Sequence, residues 1–185
     1  MKNNTRLLKL VLSAFFLALA FVLPYVTGHI PEIGAMLCPM HIPVLLCGFI
    51  CGWEWGLTVG AIAPLLRSLT LGMPPLFPTA ICMAFELAAY GAIAGLMYRF
   101  LSRKMNKTVS TYCSLIISMV GGRLVWGAAR YICSGINHTD FGLSAFLAGA
   151  VTGAIPGIII QIILIPVIVI VLDKTNVTAV LRDRK

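Results

Sequence analysis

Long apolar stretches alternate with short polar or proline-containing connections along the whole chain. A helix that crosses a bilayer needs about 20 apolar residues. The pattern predicts six spans, at about 7–25, 40–52, 56–71, 76–101, 109–133 and 143–172. It therefore predicts an all-α integral membrane protein with a single six-helix domain over residues 1–185.

Two details of this pattern concern the second span. Pro39 and Pro43 predict that this span is short or begins irregularly, because proline lacks a backbone N–H and restricts the chain before it. Trp53-Glu54-Trp55 predicts a tight connection to the third span, with aromatic side chains at the depth of the lipid headgroups.

Composition agrees with a membrane protein. Hydrophobic residues make up 59% of the chain and charged residues 11%, whereas roughly a quarter of the residues in soluble domains are charged. The six predicted spans leave no length for a separate soluble domain.

The basic residues predict the orientation. The net charge is +8, and the Lys and Arg residues other than Arg67, Arg123 and Arg130 fall at or near the start, one connection and the end of the chain: Lys2, Arg6, Lys9, Arg99, Arg103, Lys104, Lys107, Lys174, Arg182, Arg184 and Lys185. An even number of spans separates these groups, so they lie on one side of the membrane. The positive-inside rule then places both termini in the cytoplasm. We expect no nucleic-acid partner.

The first span has an alternative interpretation. Basic residues, an apolar run and Ala18-Leu19-Ala20 together resemble a cleavable signal peptide. The apolar run continues to Pro24, which is long for such a signal and favours a retained span.

Four ionisable residues lie inside apolar segments: Arg67, Glu86, Arg123 and Arg130. Such residues are costly in lipid and normally face a protein interior or a wet cavity. The predicted topology places all four in the outer half of the membrane or near its middle. Three arginines against one glutamate favour an anionic ligand, because Arg binds carboxylate or phosphate in a bidentate manner.

Helical spacing extends this candidate binding site. Arg123 and Arg130 share one face of the fifth span with Gly127, and Trp126 adjoins that face. Tyr90 follows Glu86 by one turn. In the alternative interpretation, Glu86 pairs with one arginine and the other arginines cap carbonyls or extend to the interface.

Polar residues on or near the outer face are further candidates for substrate contacts or gates: His29, His41, Asn137 and His138. Together with Glu32 and Asp140, the histidines suggest a metal site, but they lack the local spacing of metal ligands. We therefore expect neither a metal nor a cofactor.

The six cysteines show no metal-binding or disulfide pattern. Cys47 and Cys51 lie one turn apart in an apolar span, and Cys38 with Cys133 is the one pair worth testing as a disulfide. The chain lacks GxxxxGK[ST], GxSxG and HExxH motifs. We predict that it is not an enzyme, and that any transport needs an ion gradient or a partner.

Several segments carry a family resemblance: Met40-His41-Ile42-Pro43-Val44-Leu45-Leu46, Pro64-Leu65-Leu66-Arg67-Ser68, Gly72-Met73-Pro74-Pro75, Met83-Ala84-Phe85-Glu86-Leu87 and Tyr90-Gly91. Together they resemble the substrate-binding S components of energy-coupling factor (ECF) vitamin transporters. Within that family they are most similar to the pantothenate-type members.

The resemblance implies a multi-pass protein of the bacterial plasma membrane with an extracellular pocket for a vitamin, closed by outer loops. It implies a complex with a transmembrane coupling subunit and two cytoplasmic ATPase subunits, in which the S component topples to deliver the vitamin inward. Ala14 and Ala18 match an AxxxA pattern that contacts the coupling subunit in this family. Pantothenate or another small carboxylate is the favoured ligand.

Two other functions stay open at this point. One is a solitary ion-coupled transporter or channel for a small anion. The other is a membrane scaffold, or an enzyme that uses the intramembrane cysteines.

Overall fold

The computed structural model describes residues 2–27, 38–137, 142 and 155–174, and these residues form six α-helices and no strand. The helices are α1 Lys2–Thr27, α2 His41–Cys51, α3 Trp53–Leu71, α4 Ile81–Leu101, α5 Lys107–Asn137 and α6 Ile155–Lys174. An irregular turn, Leu76–Ala80, precedes α4 and contains the extended residue Phe77. The predicted all-α class is confirmed for this part of the chain, and positions 143–154 of the predicted sixth span lie outside it.

Four helical stretches are long and apolar enough to cross a membrane: Thr5–Tyr25, Leu76–Leu101, Lys107–Gly135 and Ile155–Asp173. Helix α2 is apolar but has only 11 residues, a length of about 16 Å at 1.5 Å per residue. A hydrocarbon core is about 30 Å thick, so α2 alone does not cross it. The short length of α2 agrees with the short or irregular second segment expected from Pro39 and Pro43.

Helix α2 lies inside the bundle. It contacts α1, α3, α4 and α6, and nearly all of its side chains are buried. A helix that ends inside hydrocarbon leaves unpaired backbone groups at its ends, which lipid cannot satisfy. Enclosure by four other helices removes that exposure.

A single glycine connects α2 to α3. Gly52 has φ 104°, a conformation that side chains rarely adopt and that turns the chain within one residue. Trp53-Glu54-Trp55 forms the first turn of α3. The predicted three-residue connection was therefore wrong, because Gly52 alone makes the turn.

Helices α2, α3 and α4 meet at glycines. A Cβ atom added to Gly56 would lie 2.7 Å from Gly48 Cα and 2.7 Å from Gly91 O. These distances leave no room for a methyl group. The three helices therefore pack backbone to backbone, as small residues permit in membrane bundles.

The helices alternate in direction, which gives the bundle two distinct ends. Arg67 near the end of α3 binds Phe21 near the end of α1, and Tyr98 near the end of α4 binds Asp173 near the end of α6. We call the end that holds Tyr98 and Asp173, and the start of α1, the basic end. The end that holds Phe21 and Arg67 is the far end.

Candidate functional site

A buried polar cluster joins three helices in the half of the bundle toward the far end. Glu86 on α4 is 2% exposed. Arg123 Nη1 on α5 donates to Glu86 Oε1 at 2.7 Å. His41 Nε2, on the first residue of α2, lies 3.4 Å from the same oxygen. The structure therefore brings together three of the predicted site residues, which lie far apart in sequence.

Tyr90 forms one wall of this cluster. Its ring packs edge-on against the His41 ring with 5.0 Å between centroids. Gly122, next to Arg123, leaves room for it, because a Cβ at Gly122 would lie 2.7 Å from the Tyr90 ring. Sequence reasoning missed Gly122, although the Gly121-Gly122 pair directly before an intramembrane arginine was a visible signal.

Two buried nitrogen atoms of the cluster have no hydrogen-bond partner among the described residues. They are His41 Nδ1 and Arg123 Nε. A buried polar group without a partner costs about 1–3 kcal/mol, and most buried polar groups in folded proteins have a partner. The cluster is thus equipped to bind a further polar group.

Cys38 borders the cluster and was missed as a site residue. Its thiol lies within hydrogen-bonding reach of Arg123 and close to Glu86. Burial raises the pKa of the Cys38 thiol, and the neighbouring Arg123 guanidinium partly offsets this shift. Its position three residues before His41 was the available signal.

Arg67 occupies a different place from Arg123. Its Nε donates to Met73 O at 3.2 Å and its Nη1 donates to Phe21 O at 3.2 Å. These bonds join α3 to α1 and to the connection before α4. Two of its five N–H groups thus hold backbone carbonyls at the far end.

Arg130 lies beside a pair of thiols. It is within hydrogen-bonding reach of Cys82, and Cys82 Sγ lies 3.5 Å from Cys133 Sγ. None of the six cysteines, all of which lie in the described ranges, forms a disulfide. The sulfur neighbour of Cys133 is therefore Cys82, whereas Cys38 lies beside Arg123.

The remaining candidates fall into two groups. Trp126 is half-buried on α5, one turn beyond Arg123, and Ala14 and Ala18 are exposed on α1. The other group lies outside the described residues: His29, His138 and the side chain of Asn137.

Within the described ranges, no three His, Cys, Asp or Glu side chains are grouped as metal ligands would be. A cavity of about 510 Å³ opens at the basic end, lined by Arg103, Lys104, Met105, Asn106 and Val109. It lies at the opposite end of α4 from Glu86, about 20 Å along the helix axis. The polar cluster and this cavity are therefore separate features.

Comparison with protein families gives one match. A family model described as "ECF transporter, substrate-specific component" matches residues 8–172. No curated protein and no solved structure matches the chain. The matched range includes all the candidate site residues on the helices and loops described above.

Proposed function

The chain belongs to the substrate-specific components of ECF transporters, and from this membership we propose that it captures a small vitamin or vitamin precursor, with pantothenate favoured. Components of this family bind substrates for transport and are not enzymes. The observation that carries the proposal is the buried cluster of His41, Glu86 and Arg123 with its two unpartnered nitrogens. Ionisable residues at such depth mark substrate pathways in membrane proteins.

The proposed topology has six spans with both termini in the cytoplasm. Basic residues gather at the basic end, where the first turns of α1 and the connection from α4 to α5 carry Arg6, Lys9, Arg103 and Lys104. The positive-inside rule favours a cytoplasmic position for that end. The cluster around Glu86 would then lie toward the extracellular side, as capture of an external vitamin requires.

In the proposed site, Arg67 and Arg130 recognise the ligand carboxylate. Arg67 retains N–H groups beyond the two that hold carbonyls, and Arg130 lies near the end of α5 on the same side. Tyr90, Trp126, His29, Asn137 and His138 remain candidate contacts or gates around it.

Delivery of the vitamin inward would use partners. We propose a transmembrane coupling subunit and two cytoplasmic ATPases, because the chain carries no nucleotide-binding motif of its own. Ala14 and Ala18 are exposed on one face of α1. Small exposed residues at this spacing let another helix approach closely, which supports a contact with the coupling subunit there.

The central experiment identifies the ligand. Protein purified in detergent is denatured, the released small molecules are identified by mass spectrometry, and pantothenate binding to ligand-free protein is measured by titration calorimetry. We expect pantothenate in the released fraction and saturable binding. Another vitamin would change the substrate, and the absence of any vitamin from both measurements would contradict capture.

A transport assay separates this proposal from a solitary transporter. Liposomes that contain this chain alone should not accumulate labelled pantothenate, whereas liposomes that also contain the coupling subunit and ATPases should do so with ATP. Accumulation by the chain alone, driven by an ion gradient, would favour the solitary transporter.

A further inference from the structure

Within the polar cluster, the positive charge of Arg123 balances the negative charge of Glu86. Arg123 and Glu86 form an ion pair at 2.7 Å. The contact between His41 and Glu86 is 3.4 Å, longer than the about 2.7–2.9 Å of a charge-assisted bond. The Arg123–Glu86 pair is neutral, and with an uncharged imidazole at His41 the three groups together carry no net charge.

Two buried nitrogens of these groups, His41 Nδ1 and Arg123 Nε, have no hydrogen-bond partner among the described residues. Arg123 Nε carries a hydrogen and needs an acceptor. When His41 Nε2 carries the ring hydrogen that faces Glu86, His41 Nδ1 is an acceptor and needs a donor. Both nitrogens are buried, and neither has a partner within the described ranges. The His41 side chain is 4% exposed, so bulk water does not satisfy it.

We propose that the centre formed by His41, Glu86 and Arg123 binds an uncharged group that both accepts and donates a hydrogen bond, such as an amide or a hydroxyl. This rests on the proposed function, which supplies a small polar ligand. The ligand carboxylate lies outside the centre, nearer Arg67 or Arg130. In pantothenate, the hydroxyl and amide portion would then enter the centre.

A carboxylate fits this centre poorly for two reasons. It has no hydrogen to donate to His41 Nδ1. It also brings a second negative charge beside Glu86, and two carboxylates in one buried site disfavour each other's ionised form. Three intramembrane arginines alone suggested the opposite, namely that Arg123 takes the ligand's charge.

Two probes of equal size test the proposal: propionamide and propionate. The readout is the rate at which a neutral maleimide labels Cys38, which borders Arg123. Cys38 and Cys113 are the two cysteines that are not buried, so the assay uses Cys113→Ser protein. It is run at about pH 8, where a free imidazole is uncharged.

We expect propionamide to slow labelling of Cys38 at a concentration about tenfold or more below that needed for propionate, a difference typical of one mismatched polar contact. Equal or better protection by propionate would overturn the proposal. Protection by neither probe would also overturn it, because the centre would then not admit a small polar group.

A charge change at Glu86 supplies the second measurement. Glu86→Gln gives the centre a net positive charge, and it should shift the ratio of the two affinities toward propionate by about tenfold. Glu54→Gln, the same change at an exposed residue of α3, should leave the ratio unchanged. An unchanged ratio in folded Glu86→Gln protein contradicts the proposal. If this variant does not fold, the comparison of propionamide with propionate in protein that retains Glu86 tests the proposal by itself.

Pantothenate and its alcohol analogue pantothenol separate this inference from the proposed function. If neither binds but propionamide is preferred to propionate, the centre stands and the pantothenate assignment falls. If pantothenate binds, pantothenol does not, and propionate is preferred, the vitamin assignment stands and the uncharged-group proposal falls.

Discussion

The Glu86 carboxylate depends on Arg123 to balance its charge, because both side chains are largely removed from solvent. The Glu86 side chain is 3% exposed and the Arg123 side chain 16%. A buried ion pair contributes little net stability relative to apolar residues, but removal of one partner leaves an uncompensated charge. The pair is therefore better explained as binding chemistry held in place than as a source of stability. Arg67, by contrast, holds backbone carbonyls.

Arg123→Ala should lower the free energy of unfolding by about 3–5 kcal/mol, because it leaves the Glu86 carboxylate buried without its partner. Thermal unfolding in detergent measures the loss. The double variant Glu86→Met with Arg123→Met should recover most of it, since neither charge remains. Unchanged stability of the single variant would show that Glu86 does not depend on Arg123.

Arg67→Ala should weaken pantothenate binding by about tenfold, as expected for loss of one charged contact. Pantothenol, which lacks the carboxylate, distinguishes the cause. Binding of pantothenol should change little if Arg67 meets the ligand's charge. An equal loss for both compounds would mean that Arg67 acts only by tethering the connection at Met73.

At the scale of helices, close backbone contact organises the bundle. Gly48, Gly56 and Gly91 lie at the meeting of α2, α3 and α4. Association of helices within lipid draws on such packing, because lipid tails are as apolar as the side chains they replace. The position of α4, and with it that of Glu86, therefore rests partly on contacts between backbones.

Gly56→Ala should destabilise the protein by about 1–3 kcal/mol, as expected for overpacking. The added methyl would meet the backbone of both α2 and α4. Gly135→Ala on α5 is the matched control, because a Cβ there meets nothing within 4 Å. The control should be neutral or slightly stabilising. Comparable loss in both variants would contradict the close packing at Gly56.

Mild oxidation should join α4 to α5 through Cys82 and Cys133, whose sulfur atoms are 3.5 Å apart. Diamide removes the two thiol hydrogens as the disulfide forms, and mass spectrometry of peptides identifies the bond. Cys82→Ser should abolish this product, whereas Cys113→Ser should not. A product that instead contains Cys38 and Cys133 would contradict the packing of α4 on α5.

At the scale of the molecule, α1 has one face buried in the bundle and one exposed face. Ser13, Phe16 and Ala20 are buried against the bundle, whereas Ala14 and Ala18 are exposed. A transport subunit without its own energy source needs a surface for its partner that is separate from the ligand site. The exposed face of α1 is the surface that we propose for this contact.

Ala18→Trp should prevent assembly with the coupling subunit and leave ligand affinity within about twofold, because a bulky side chain blocks close helix approach without touching the site. Co-purification measures assembly, and calorimetry measures binding. Ala128→Trp, at an exposed alanine of α5, is the control and should assemble normally. Normal assembly of Ala18→Trp would exclude this face as the contact.

Local pattern was sufficient for the membrane class, for the helical class of the described residues, and for the family. Hydrophobic runs and prolines determine local structure within a single helix, so these features can be recognised in the sequence alone. The pattern also marked the four intramembrane charges, whose cost in lipid does not depend on the fold.

Packing between helices settled which of those charges meet. Helical spacing showed that Arg123 and Arg130 share a side of α5, but pairing with Glu86 depends on how close α4 and α5 lie and how each is rotated. The contact of Gly122 on α5 with the Tyr90 ring on α4 limits that distance. Gly52 alone makes the turn between α2 and α3, where the sequence suggested three residues. These are relations between residues far apart in the chain, and no local pattern contains them.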